Sequence, residues 1–202
     1  RELMAELGFR TVDEMVGRVD KLRPSGAATH WKAQGVDVSA LLHRVPSDVL
    51  RCVEAQDHGL SRGLDAQIID QARDALERRG PVELEYPISN RDRAVCTRLS
   101  AEISRRHGAE GLPAGTIRLR FEGTAGQSFG AFMAEGVEAV LVGEANDYLG
   151  KGLSGGRVVV MPPKGVRYVP EENVIVGNTV LYGATAGEVF LRGRAGERFA
   201  VR

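Results

Sequence analysis

Two hundred and two residues, with 27 Lys plus Arg against 27 Asp plus Glu, give a chain long enough for one large domain or two small ones, and able to build a core without a disulfide or metal. The balance also holds locally, with 17 basic and 18 acidic residues in 1–110 and 10 and 9 in 111–202, which excludes the basic excess of a nucleic-acid or acidic-membrane binder. Only two cysteines occur, Cys52 and Cys96, and they exclude a disulfide scaffold, a Cys-rich zinc module and a self-contained iron–sulfur site.

Both thiols read as small hydrophobes in a reducing cytoplasm. No run approaches the ~18 apolar residues of a membrane span. The N-terminus, Arg-Glu-Leu-Met-Ala-Glu, is not a signal peptide, and its lack of an initiator Met fits a processed piece or a fragment.

The first part reads as helix and loop. Arg1–Leu7 is a short helix ended by Gly8, and Thr11–Leu22 opens on Thr-Val-Asp-Glu, a capping box in which Thr11 and Glu14 satisfy free backbone N–H groups. A looser stretch from Arg23 to Ser61 holds Pro24, Ser25, Gly26, Trp31 and a weak helix near Ser39–Arg44. Leu64–Arg79 is the firmest helix: Leu64, Ile68, Ile69, Ala72 and Leu76 recur at helical spacing, and Gly80-Pro81 closes it. Val82–Ile88 alternates as a strand, Ser89–Asp92 is a turn, and Thr97–His107 is a helix stopped by Gly108.

Near residue 110 the composition shifts. Residues 1–110 hold 8 glycines and residues 111–202 hold 17. Two domains are therefore expected: a helical or mixed lead-in at 1–110 and a glycine-rich β domain at 111–202. Short β-branched runs alternate with glycine turns at Thr116–Phe121, Val137–Val142, Arg157–Met161, Asn173–Val176, Thr179–Tyr182, Glu188–Leu191 and Arg198–Val201. The turns Gly123-Thr-Ala-Gly-Gln-Ser-Phe-Gly130 and Gly143-Glu-Ala-Asn-Asp-Tyr-Leu-Gly150 start 20 residues apart, and Gly177 and Gly196 are 19 apart. Short strands, glycine corners and a repeat near 20 predict a mainly β fold with an α-rich N-terminal segment, namely a parallel β-helix. A β-sandwich is the competitor, but this half has no Asn-Gly or Asp-Gly hairpin signal.

Candidate chemistry is sparse, and no catalytic, cofactor-binding or metal-ligating residue is expected. Gly150-Lys-Gly-Leu-Ser-Gly155 spells the dinucleotide fingerprint, which needs a helix after its glycines; a strand-like Arg-Val-Val-Val follows instead. His30, His43, His58 and His107 all precede the glycine-rich part, and none pairs at metal-ligand spacing. Asn146-Asp147-Tyr148 could hold a cation or polar ligand, or hydrogen-bond its own turn. Ser128 and Ser154 are flanked by glycines, but no strand-to-helix turn follows Gly126-Gln-Ser-Phe-Gly130 and no His sits in residues 111–202 to act as base, which disfavours a hydrolase. Arg192, Arg194, Arg198 and Arg202 form a basic cluster that could face an acidic partner or solvent.

Long strings carry a more specific signal. Gly123-Thr-Ala-Gly-Gln-Ser-Phe-Gly-Ala-Phe132, Gly143-Glu-Ala-Asn-Asp-Tyr-Leu-Gly-Lys-Gly-Leu-Ser-Gly-Gly-Arg-Val-Val-Val160 and Glu172-Asn-Val-Ile-Val-Gly-Asn-Thr-Val-Leu-Tyr-Gly-Ala-Thr-Ala-Gly187 closely resemble the C-terminal domain of the glutamate synthase large (α) chain. Glu2-Leu-Met-Ala-Glu-Leu-Gly-Phe-Arg-Thr-Val-Asp-Glu-Met-Val-Gly17 resembles the segment leaving that enzyme's flavin-binding domain. The resemblance implies a right-handed single-stranded parallel β-helix with a structural rather than catalytic role in making glutamate from glutamine and 2-oxoglutarate. It implies FMN and an iron–sulfur cluster in other domains and none in this chain. The implied partners are the synthase and amidotransferase domains, in cis or as separate chains, with a homo-oligomer conceivable through an exposed final rung; nucleic acid and membrane are not among them. A free-standing subunit of another oxidoreductase, such as formylmethanofuran dehydrogenase, is the alternative.

Overall fold

The computed structural model describes residues 1–23 and 30–201. Pro24, Ser25, Gly26 and Arg202, which the sequence reading placed in the loose stretch and the basic cluster, lie outside the described residues. The chain divides into two compact units, Arg1–His58 and Gly59–Arg202, so the composition shift near 110 falls inside the second unit.

In the first unit, α1 (Glu2–Glu6) and α2 (Val12–Met15) are followed by a 3-10 turn at Val19–Lys21. The Thr11 hydroxyl accepts the Glu14 N–H at 3.2 Å, as the capping box requires. Glu14 reaches one residue further back than the box predicts, accepting from the Arg10 N–H at 2.9 Å. Phe9 is buried beneath the Arg18 guanidinium, 5.3 Å from the ring centroid. Arg18 hydrogen-bonds Asp20 and holds that carboxyl down to about 2. Ser39–Arg44 makes turns, not a helix.

The second unit begins with α3 (Leu64–Gln71) and α4 (Arg73–Leu76), separated at Ala72, where the sequence predicts one continuous helix. The exit from α4 uses Arg78 at φ +60° rather than the glycine that follows. Strand β1 (Val82–Ile88) and helix α5 (Thr97–His107) coincide with their expected bounds. Then come β2 (Ile117–Ala125), β3 (Val137–Ala145), β4 (Ser154–Met161), β5 (Val174–Val176), β6 (Ala186–Leu191) and β7 (Arg194–Ala195).

Among the described residues all seven strands join one parallel sheet in the order β1-β2-β3-β4-β6, with β5 pairing β3 and β7 pairing β5. The register stacks side chains of like kind. Leu84, Leu119, Ala139, Val158 and Val189 form one inward row, and Tyr86, Phe121, Leu141, Val160 and Leu191 form the next. Inward residues alternate with outward ones because strand side chains have period two.

This architecture corrects the expected β-helix. The unit is α/β: a parallel sheet with helices, not a mainly β coil with a helical lead-in. Ile68 of α3, Leu76 of α4, and Leu99 and Ile103 of α5 share one buried cluster with Phe121, Phe129 and Leu141. A parallel sheet needs its apolar faces covered, and these helices contribute cover that a strand count over 111–202 cannot reveal.

Candidate functional site

Four chain corners, at 126–132, 146–152, 177–183 and 196–201, follow one backbone pattern. Their third, fifth and seventh residues adopt the left-handed conformation wherever described: Ser128, Gly130 and Phe132, then Tyr148, Gly150 and Gly152, then Thr179, Leu181 and Gly183, then Arg198 and Ala200. A side chain in that region costs about 1–2 kcal/mol, so seven non-glycine residues must be held by their surroundings. Hydrogen bonds between corners do so. The Ser128, Tyr148 and Thr179 amides donate to the carbonyls of Asp147, Asn178 and Glu197 at 2.8–2.9 Å. Between the left-handed positions Phe129, Leu149 and Val180 point inward and are fully buried.

Asparagine and aspartate tie the same corners together. Asp147 Oδ1 accepts the Asn178 amide at 2.7 Å, and Asn178 Oδ1 accepts the Glu197 amide at 2.8 Å. Gly177 and Gly196 are glycine because a Cβ would run into Asp147 Oδ1 and into Asn178 Oδ1 respectively. In Asn146-Asp147-Tyr148, open between a ligand site and a turn in the sequence, Asn146 Oδ1 accepts the Asp147 amide at 2.8 Å and Asp147 Oδ1 the Asn178 amide, which is the turn use of both side chains.

The outward face of the sheet carries charge in register. Glu83, Arg118, Glu138, Arg157 and Glu188 lie side by side across five strands. Arg118 contacts Glu83 at 2.8 Å and Glu138 at 3.9 Å; Arg157 contacts Glu188 at 2.7 Å and Glu138 at 4.0 Å. Each arginine is held above its usual value, first by its hydrogen bond to Glu83 or Glu188 respectively. Cross-strand opposite charges support a register and like charges oppose it. Arg118→Glu is therefore expected to lower the thermal midpoint at low ionic strength, with much of the loss recovered in 1 M salt, where the Debye length is about 3 Å. A loss of equal size at both salt concentrations would contradict the electrostatic account.

A cavity of about 980 Å³ lies along this face, with residues 162–168 contributing to its wall. Arg120, Glu122, Glu144, Lys164 and Tyr168 line it together with Val142 and Met161. Its cations and carboxylates could orient a polar ligand, and in its wall the Thr124 hydroxyl donates to Glu144 Oε1 at 3.3 Å.

The other candidates are placed as follows. Gly150–Gly155 forms a corner and enters β4, so the helix N-terminus that a pyrophosphate needs is lacking there. Gly126-Gln-Ser-Phe-Gly130 spells G-x-S-x-G, yet the chain after Ser128 enters another left-handed corner rather than a helix. Ser154 Oγ donates to the Met133 carbonyl at 3.2 Å. His107 Nε2 lies 2.7 Å from the Leu76 carbonyl, so that nitrogen carries the proton. His30 stacks on Trp31. Arg192 pairs with Glu171 at 3.1 Å. Cys52 is exposed, whereas Cys96 is buried, and burial pushes its thiol well up.

One polar residue that sequence reasoning missed is Asp65. It is buried in the first turn of α3, and its carboxylate accepts the amides of Cys96 and Arg98 at 2.7 Å and Leu99 at 3.4 Å. These are free donors at the start of α5. No local pattern announces a cap more than thirty residues away.

The GXGXG motif family model matches residues 65–202. The chain belongs to the GXGXG motif family. All of it also aligns with segments of glutamate synthases. It is 48% identical over 208 residues to the NADH glutamate synthase of Saccharomyces cerevisiae, where it covers 10% of that protein. It is 47% identical over 204 residues to the NADPH glutamate synthase large chain of Bacillus subtilis, covering 13%. Against ferredoxin-dependent glutamate synthase 1 of Arabidopsis thaliana it is 44% identical over 207 residues, again covering 13%. This GXGXG chain is thus related to glutamate synthase and spans about a tenth of the length of the curated relatives it matches. Among the described residues no helix is long and apolar enough to cross a membrane.

Proposed function

We propose that this chain is a non-catalytic, architectural part of a glutamate synthase, toward the C-terminal end of the large chain. One observation carries the reading. Relatives named for NADH, NADPH and ferredoxin align with the whole chain at 44–48% identity, so the segment supplies something independent of the electron donor. The corners support it: their Asn, Asp and amide groups satisfy one another rather than converge on an open reacting centre.

In this reading glutamine hydrolysis and reduction of 2-oxoglutarate take place on the amidotransferase and synthase domains of the same polypeptide, in the cytoplasm. FMN and the iron–sulfur cluster belong to those domains. The donor set here does not fit a cluster: there are two cysteines, and the buried Cys96 stands at the N-terminal end of α5. The relatives favour glutamate synthase over formylmethanofuran dehydrogenase.

The test is made in the full-length enzyme. Arg120→Ala combined with Lys164→Ala removes both cations from the cleft. Turnover and KM for glutamine and 2-oxoglutarate are expected to stay within two-fold of the parent enzyme. A more than ten-fold fall in turnover, at unchanged melting temperature and FMN content, would place chemistry in this segment and overturn the reading.

A further inference from the structure

Residues 30–58 contain no α-helix or strand. Their amides form a few local turn bonds, such as Ala33 to His30 and Leu42 to Val38. Apolar side chains nevertheless recur along the stretch: Trp31, Val36, Leu41, Val45, Val49 and Val53 are all exposed, Trp31 at 72% and Leu41 at 79%. Among described residues 1–23 and 30–58, Phe9 is the one buried side chain. The unit therefore carries apolar side chains without a core of its own to receive them. Single exposed hydrophobes are ordinary, but a sustained series marks a surface that something else covers.

We propose that residues 30–58 form a docking strap that lies along a nonpolar surface of the remaining glutamate synthase polypeptide, with Trp31 and Leu41 as anchors. The inference rests on the reading above, that this chain is a segment of that longer protein. The partner is nonpolar because the strap holds only 3 Lys or Arg and 4 Asp or Glu, too balanced for an electrostatic mate. The occupant is the same polypeptide because each relative carries about nine-tenths of its length outside this segment. A tethered surface acts at an effective concentration near millimolar, which a second copy does not reach. Aromatic and large aliphatic anchors are the residues that dominate such contacts.

The test uses the full-length polypeptide at native and denaturing urea concentrations. Leu41→Cys and Val45→Cys variants are labelled with a maleimide, and the parent enzyme is digested with trypsin, cleavage after Arg44 and Arg51 being followed by mass. The strap predicts labelling at both positions at least 100-fold slower in the native enzyme than in urea, and both trypsin sites resistant. Rapid native cleavage of the parent at these sites would overturn the proposal, whatever the variants do. Protection that disappears on dilution to the monomer would assign the cover to a second copy and overturn it too. Rapid cleavage in an enzyme that still makes glutamate defeats the strap alone; failure to make glutamate from glutamine and 2-oxoglutarate defeats the underlying reading.

Discussion

Gly143→Val is expected to destabilise the 59–202 unit by about 4 kcal/mol. Gly143 stands in β3 at φ +149°, paired with Gly123 of β2, and a Cβ there would overlap the Gly123 carbonyl. Gly123 has no room to yield, because its own Cβ position is filled by the Ile88 carbonyl of β1. The clash is with the backbone of β2, itself backed by β1, so relief requires breaking the parallel register. Backbone strain of this kind costs roughly 1–3 kcal/mol, and overpacking adds typically 1–3 kcal/mol more. Together about 4 kcal/mol is a large part of the 5–15 kcal/mol that usually holds a domain. Gly177→Val acts differently: its backbone is ordinary, but a Cβ meets Asp147 and breaks the tie between corners. Gly183→Ala is the control. Its φ is +68° with nothing within 4 Å, so it should cost about 1 kcal/mol. Urea midpoints followed by circular dichroism separate the cases. Equal midpoints for Gly143→Val and the parent would refute this account of the paired strand glycines.

Asp65→Ala has the second largest expected effect, about 3 kcal/mol, because it leaves the buried amides of Cys96, Arg98 and Leu99 without their acceptor. Each unpaired buried donor costs roughly 1–3 kcal/mol, and the last bond, at 3.4 Å, is the weakest. Asp65→Asn should lose less, since its one oxygen can still accept. The pH dependence has a definite sign. Burial pushes the Asp65 carboxyl above its usual range, with the Cys96, Arg98 and Leu99 amides pulling against it. The folded chain then holds this proton more tightly than the unfolded chain. The contribution of protonated Asp65 is present below the unfolded value, near 4, and is lost as pH rises through the folded one. The stability advantage of the parent over Asp65→Asn should therefore shrink with rising pH across that window. An advantage that grows would show that the amides outweigh burial.

What the sequence shows of this fold follows the range of the forces involved. Val82–Ile88 and Thr97–His107 are legible to the residue because alternation and helical spacing are local. Strand β2 runs four residues beyond its expected end, through Glu-Gly-Thr-Ala, and β3 three, through Gly-Glu-Ala. These residues have little strand preference of their own and are held by the parallel register. Thr179–Tyr182 and Arg198–Val201 look like strands from their β-branched and aromatic residues, yet each belongs to a corner with alternating left-handed residues. Aligning the corners reveals the clue: glycine occupies the fifth position at Gly130 and Gly150 and the seventh at Gly152 and Gly183. The helical cover of the sheet was harder to see. Ile68, Leu76, Leu99 and Ile103 announce apolar helix faces, but not which strands those faces meet.

Residue chemistry supplied no reacting centre, and the glycine-rich strings carried the relation to glutamate synthase. The structure adds where the polar groups go. Asp147 and Asn178 are spent on neighbouring amides, and the charges on the sheet face are spent on one another.

The most direct test of an architectural role is turnover per FMN, measured beside the melting temperature, in full-length enzymes carrying Gly183→Ala or Gly143→Ala. The account predicts that melting falls slightly in the first and steeply in the second, while turnover per FMN in the molecules that remain folded is unchanged. A ten-fold loss of turnover per FMN in Gly183→Ala, with melting unaltered, would contradict it and make the corners part of the catalytic machinery.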